Sequence, residues 1–500
     1  MSKLLMGGMF ALAAGGCMQA DAAEDTATDD VAHADQHLHN NQPFRNPTGF
    51  AATYDTDGSR VDLTGDFFTS FGTNGRTCGT CHLPSSGWTI IPSELQDRFD
   101  RTDGLDPIFR LVDGSNSPND NLSTRSKRRS AFNMLLSKGL IRIGLGVPAG
   151  AEFTLAAVDD PYHFASAAQL SLFRRPLPTA NLFFLSTVMW DGRETLVDTT
   201  SPHLPDSNCL HAPFAVKCFR SIDFDLHDQS LQATLGHAQA MVPGLTAGQE
   251  DAIVGFESAL LFAQISDDRA GDLDNNGANG GAENIQNDTA YFGVNDNFGD
   301  YDTGAPFTAT IFTLYDAWDN LENHHHHYSE QRERRESIAR GQALFNSKPI
   351  TISGVGGLNN SLGLPASFVG TCGTCHDTPA GGNHSVPAPL NIGLTDASRR
   401  TADMPLYTMG CSAVGVAAGS CTAGQTVQTT DPGRALITGK FADIGRFKGP
   451  ILRGLAARAP YFHNGFAADL GAAIDFYDTR FAIGFTHQER ADLVAFLESL

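Results

Sequence analysis

Beyond its first residues this 500-residue sequence has no apolar run long enough to cross a bilayer, although 41% of it is hydrophobic, so the mature chain is expected to be water-soluble. Positive charge is scarce. Lys and Arg number 34 against 56 Asp and Glu, a formal charge of -22. That balance argues against nucleic acid as a ligand; the acidic surface either favours a basic protein partner or only keeps the chain in solution. The alternation of apolar and polar residues that marks half-buried strands is also rare. A mainly α fold is therefore expected, with helices joined by long loops and insertions. The length exceeds one ordinary core, so two domains are expected.

The first residues, MSKLLMGGMFALAAGGC, carry one Lys, a short apolar stretch and small residues before Cys17. This is the pattern of an export signal, too short for a membrane span. Its end is similar to a bacterial lipobox, with Ala14 where Leu is usual, so Cys17 is either a lipid anchor or an incidental cysteine beside ordinary cleavage. Residues 1–17 are assigned to this leader. Residues 18–45, which run through Asp, Ala, Thr and His with little to bury, are assigned to a disordered tether.

The nine cysteines divide without remainder. Apart from Cys17, four lie in two copies of the string CGTCH: Cys78 and Cys81 with His82, and Cys372 and Cys375 with His376. Cys209 with Cys218 and Cys411 with Cys421 form two close pairs in Pro, Ser and Gly-rich loops, read as local disulfides in an exported chain. In CGTCH two thiols one turn apart add to the vinyl groups of a haem, and the next residue, His, reaches the iron. Zinc held by two CxxC pairs, or thioredoxin-like redox pairs, would leave the directly following His82 and His376 unexplained. Two covalently bound haems c are therefore expected, in two cytochrome c-like domains: residues 46–300, with insertions, and residues 301–500.

Helix signals lie near both motifs. Ser329 caps SEQRERRESIARGQALFNS; GDFFTSFGTNGRTC offers Phe67, Phe68 and Phe71 as the face of a first helix. Thr486 with Glu489 forms a capping box before Leu493, Phe496 and Leu497. Thr246 with Gln249 forms another before Ile253, Phe256, Leu260 and Leu261 at helical spacing. The Gly, Asn and Asp-rich run that follows, to about Pro306, reads as interdomain loop.

The run FKGPILRGLAARAPYFHNGFAADLGAAIDFYDTRF, anchored on APYFHNG from Ala459 to Gly465, resembles the bacterial dihaem cytochrome c peroxidase family, which includes MauG-type enzymes. PTANLFFLSTVMWDGRETL in the first half resembles that family's stretch ending in FWDGR. Taken with both CGTCH motifs, the resemblance touches most of residues 65 to 500. It implies a peroxidatic haem at His82 and an electron-transfer haem at His376, with Trp190 relaying electrons between them. It also implies a distal pocket drawn from LHDQSLQATLGHAQA, where Gln229 holds the family glutamine position and Gln239 stands at the carboxylate position. An amide is no base, so His237 is the replacement candidate, as acid/base or as a displaceable ligand. The sixth ligand of the second haem falls on Tyr477, with Met404 or Met409 as the alternative. A phenolate would lower that haem's potential more than a thioether does.

Asp272, Asp274, Asn276 and Glu283, with Gly277, fit the EF-hand spacing and are candidate calcium ligands, although Asn279 stands where an apolar residue is usual. The family's interhaem calcium would use the carbonyls of Arg458 and Pro460, but Pro176 replaces its Asn partner. His324 to His327 read as a polar surface run. The expected activity is reduction of hydrogen peroxide by a periplasmic or cell-envelope protein, fed by a small donor such as a basic cytochrome or cupredoxin. The alternatives are a MauG-like oxidase acting on a protein or organic substrate, and a non-enzymatic dihaem electron carrier.

Overall fold

The computed structural model describes residues 36–58, 60–194, 196–199, 207–210, 217–288, 307–319, 321, 329–360, 364–384 and 389–500. The strongest local signals form as their chemistry dictates. Ser329 accepts from the backbone N–H of Arg332 at 3.1 Å and starts the helix Glu330–Ser347. Capping boxes at Thr246 with Gln249 and at Thr486 with Glu489 start Ala247–Ala259 and His487–Glu498. The helices Glu330–Ser347 and His487–Glu498 approach so closely that a Cβ on Gly341 would lie 2.0 Å from the carbonyl oxygen of Asp492. Only glycine permits that contact. Ile338, Phe345, Leu493, Phe496 and Leu497 fill the core beside it.

The expectation of a mainly α fold is wrong. Of the described residues 34% are helical and 19% lie in strands, in ten α-helices and several small sheets, which is a mixed α/β architecture. The strands escape a search for alternation because they are short and often covered on both faces: Leu170–Arg174 is buried at all five positions, and Gly49–Asp55 does not alternate. Leu260 and Leu261 do not continue a helical face. They open the strand Leu260–Asp267, antiparallel to Gly49–Asp55. The Phe67 and Phe68 stretch holds a single 3-10 turn, Asp66–Phe68, in place of a first helix.

Several contacts run between distant parts of the sequence. Leu406–Cys411 lies between Thr426–Thr429 and Phe153–Asp159, so residues more than 200 apart share one sheet. His37–Leu500 cluster as one compact unit. Cys411 and Cys421 are disulfide-bonded. The strands Ser207–Leu210 and Lys217–Arg220 pair with Cys218 opposite Cys209, but the side chains of these two cysteines lie outside the described residues, as do His324 to His327. No helix among the described residues is long and apolar enough to cross a membrane.

Candidate functional site

The two CGTCH motifs fold alike. At the start of the 3-10 turns Cys78–Thr80 and Cys372–Thr374, the backbone N–H of Thr77 donates to Thr80 Oγ1 at 2.9 Å and that of Thr371 to Thr374 Oγ1 at 3.0 Å. Cys78, Cys81 and His82 thereby line one cavity, and Cys372, Cys375 and His376 line a second. Each is about 1500 Å³, counting its open mouth. His82 Nδ1 lies 2.9 Å from the carbonyl oxygen of Trp88, and His376 Nδ1 lies 2.7 Å from that of Gly382. A carbonyl can only accept, so Nδ1 carries the proton and Nε2 keeps a free lone pair.

Burial keeps these groups in the forms that covalent haem attachment uses. It pushes the His82 imidazole down to about 4 and lowers that of His376, so both stay neutral ligands. It pushes the thiols of Cys78, Cys372 and Cys375 up to about 12, and none of the four motif cysteines is disulfide-bonded. A thioredoxin-like redox site would instead hold its attacking thiol in an environment that favours thiolate. Among the described residues no group of three or more His, Cys, Asp or Glu is gathered as a metal site. Two neutral thiols and a neutral imidazole on an apolar wall fit a thioether-linked haem.

In the first cavity the helix Ile222–Gly236 presents Gln229, and its C-terminal cap residue, His237, adds an imidazole. His237 Nδ1 is hydrogen-bonded to the carboxylate of Asp113, which is also paired with the Arg76 guanidinium. Asp113 and Arg76 are buried. Burial by itself would raise the Asp113 carboxyl, but His237 and Arg76 hold it below the ordinary carboxylate value. Arg76 is tied down by the carbonyls of Pro107 and Ile108 at 2.8 and 2.6 Å. Asp113 is 124 residues from His237 and belongs to no motif, so sequence reasoning missed it. Gln239 lies elsewhere: it is exposed, and its amide oxygen accepts from Asn74 at 3.2 Å.

Glu257, on the helix Ala247–Ala259, also lines the first cavity, and its Oε1 has no partner among the described residues. Burial pushes its carboxyl up to about 8, so it is neutral at pH 7. Its only sequence signal was its place beside Phe256 on the capped helix.

Tyr477, on the helix Leu470–Phe481, lines the second cavity, with its ring centroid 6.3 Å from that of His376. Met404 and Met409 do not line it; they pack with Met134 and Phe173, and with Phe153 and Tyr407, in separate clusters. His463, from APYFHNG, stacks on Phe447 with centroids 4.0 Å apart beside the same cavity.

Trp190 lines both cavities. Its Nε1 donates to the Arg175 carbonyl at 2.7 Å, and its own carbonyl accepts from the backbone N–H of Lys448 at 2.9 Å. The next residue, Asp191, is fully buried and pairs with Arg174 at 2.6 Å, which also reaches Asp431 at 2.7 Å. Arg174 and Arg193 overcome the effect of burial and hold the Asp191 carboxyl down at about 2. The WDG turn is thus clamped from both sides.

The candidate calcium ligands are less organised. Asp272, Asp274 and Asn276 are exposed, and Glu283 accepts from Asn41 at 2.8 Å. The Arg458 carbonyl already meets a cation, since it accepts from the Arg175 guanidinium at 3.0 Å. Pro176 offers its carbonyl to Thr89 at 2.7 Å.

No protein-family model matches the chain. Among curated proteins it is similar to cytochrome-c peroxidase IdrP2 of Denitromonas iodatirespirans, 30% identical over 141 residues, and to cytochrome-c peroxidase IdrP1 of Pseudomonas sp. strain SCT, 29% identical over 140 residues. Each match takes in 26% of this chain and 36% of the relative, so the chain spans about a third of the length of the curated relatives it matches. Among solved structures, a MauG-like protein associated with microbial copper homeostasis is 16% identical, with 67% of this chain and 76% of that chain covered and a TM-score of 0.29. The resemblance read from CGTCH and APYFHNG is therefore met again in named relatives: over the stretch they share, this chain is similar to the cytochrome-c peroxidases.

Proposed function

We propose that this chain is an exported dihaem c-type peroxidase that reduces hydrogen peroxide with electrons from a small redox protein. The reading is carried by two CGTCH cavities whose histidines are each anchored to a backbone carbonyl six residues on and which share a wall that includes Trp190. The bound haems would supply the redox chemistry, peroxide reduction at His82 and electron entry at His376. The chain's own groups do the rest. Asp113 fixes the His237 tautomer with the proton on Nδ1, leaving Nε2 to take and return a proton in the first cavity. The Gln229 amide can donate to a departing hydroxide there. Trp190, held by the Arg175 carbonyl and the clamped turn, is the aromatic bridge between the cofactors. A basic cytochrome or cupredoxin suits the acidic charge. The leader suggests the periplasm or cell envelope, with Cys17 as a candidate lipid anchor.

A second reading, a MauG-like oxidase of a protein or organic substrate, is favoured by the placement of Tyr477 in the second cavity and of Gln239 outside the first. Spectroscopic titration of the purified holoprotein with peroxide, with and without a reduced cytochrome, separates the readings. Peroxide-dependent oxidation of the cytochrome supports the peroxidase. A spectral response to peroxide without donor oxidation supports the oxidase. Neither response refutes both enzyme readings and leaves an electron carrier.

A further inference from the structure

The wall between the two cavities contains buried positive charge that no carboxylate among the described residues neutralises. Arg174 shows the usual solution, since it is paired with Asp191 and Asp431. Its neighbour Arg175, equally buried, uses three of its N–H donors on the backbone carbonyls of Lys138, Ile90 and Arg458 at 2.8, 2.8 and 3.0 Å. Lys448 is 6% exposed and lines both cavities. Among the described residues no carboxylate pairs with either one. Burial and the nearby Arg458 push the Lys448 amine down to about 7, and a carboxylate beside it would offset both effects. Buried cations are retained where an anion meets them, because an uncompensated buried charge is costly.

We propose that Arg175 and Lys448 form an anion site in this wall for the propionate carboxylates of the haems, with Lys448 serving both cofactors. The assignment rests on the dihaem reading above. It gives the wall two roles: Trp190 supplies the electron path, and Lys448 raises the potentials at its two ends together. A positive charge beside a haem carboxylate disfavours the ferric state, since oxidation adds positive charge to the same neighbourhood.

The test uses the full-length holoprotein and its Lys448→Met and Lys448→Arg variants. Haem content is measured first, then both midpoint potentials by spectroelectrochemistry. With two haems retained, Lys448→Met should lower both potentials, each by about a tenfold change in the reduced-to-oxidised ratio, which is 59 mV for a one-electron couple. Lys448→Arg should restore most of the shift. Unchanged potentials in a dihaem Lys448→Met variant overturn the assignment. Acetate or phosphate that alters the wild-type potentials, but not those of Lys448→Met, also overturns it by showing a free-anion site. Resonance Raman of the wild type tests the pairing even if the variants fail to fold: propionate bending modes at the positions of uncharged surroundings refute it. Wild-type protein without covalent haem refutes the dihaem reading itself, a failure distinct from these.

Discussion

Replacing Asp113 by Asn should destabilise this protein by about 3 kcal/mol at pH 7 and slow its peroxide reaction. The side chain is 5% exposed and its Arg76 partner 3%. Asn keeps the volume, so no cavity term enters, but it leaves a buried guanidinium without its counter-charge. Removing one partner of a buried pair costs about 3–5 kcal/mol, and the Arg76 bonds to Pro107 and Ile108, which survive the change, favour the lower end. The pH dependence has a defined sign. The native Asp113 pKa lies below its unfolded value of 3.8, so its stabilisation is fully present above 3.8 and is lost as pH falls through the native value. Urea midpoints of wild type and Asp113→Asn, measured at several pH values with m held in common, should therefore differ most at pH 7 and converge below pH 3.8. The Asn amide also has one acceptor oxygen for two donors: with that oxygen on Arg76, its NH2 faces His237 and favours the opposite tautomer, which should slow the reaction with peroxide by about a hundredfold or more, within the range for a displaced acid–base group. A stability difference under about 1 kcal/mol at pH 7, or one that persists at low pH, would refute the buried Asp113–Arg76 pair.

Two further substitutions probe the cavities. Glu257→Gln should be more stable than wild type at pH 7 by up to about 3 kcal/mol, because a carboxyl held at about 8 in the fold but near 4.5 when unfolded weakens the fold as pH rises between those values; the difference should vanish near pH 4, and equal stability at pH 7 counts against burial of that carboxyl. Tyr477→Phe should change the ferric spectrum assigned to the second haem while leaving haem content at two. An unchanged low-spin signal removes Tyr477 as a ligand.

Much of the chemistry was legible in the chain because it is local. CGTCH brings two thiols and an imidazole within one turn, and the capping boxes at Thr246 and Thr486 satisfy backbone groups three residues away, so neighbours in sequence suffice to specify them. Tyr477 could be located through the resemblance by counting along the chain from APYFHNG, and it lines the second cavity. The fold class was not legible. Strands such as Leu170–Arg174, covered on both faces, lose the period-2 signature that would reveal them, and Leu260 continues an apolar pattern from a helix into a strand. What only the tertiary structure decided is which distant residues meet: Asp113 under His237, Glu257 in the first cavity, and Lys448 beside Trp190 in the shared wall. No short-range rule could reveal these pairings. They are charged or polar groups whose meaning comes from burial and from a partner far away in the chain, and burial is a property of the whole packed molecule.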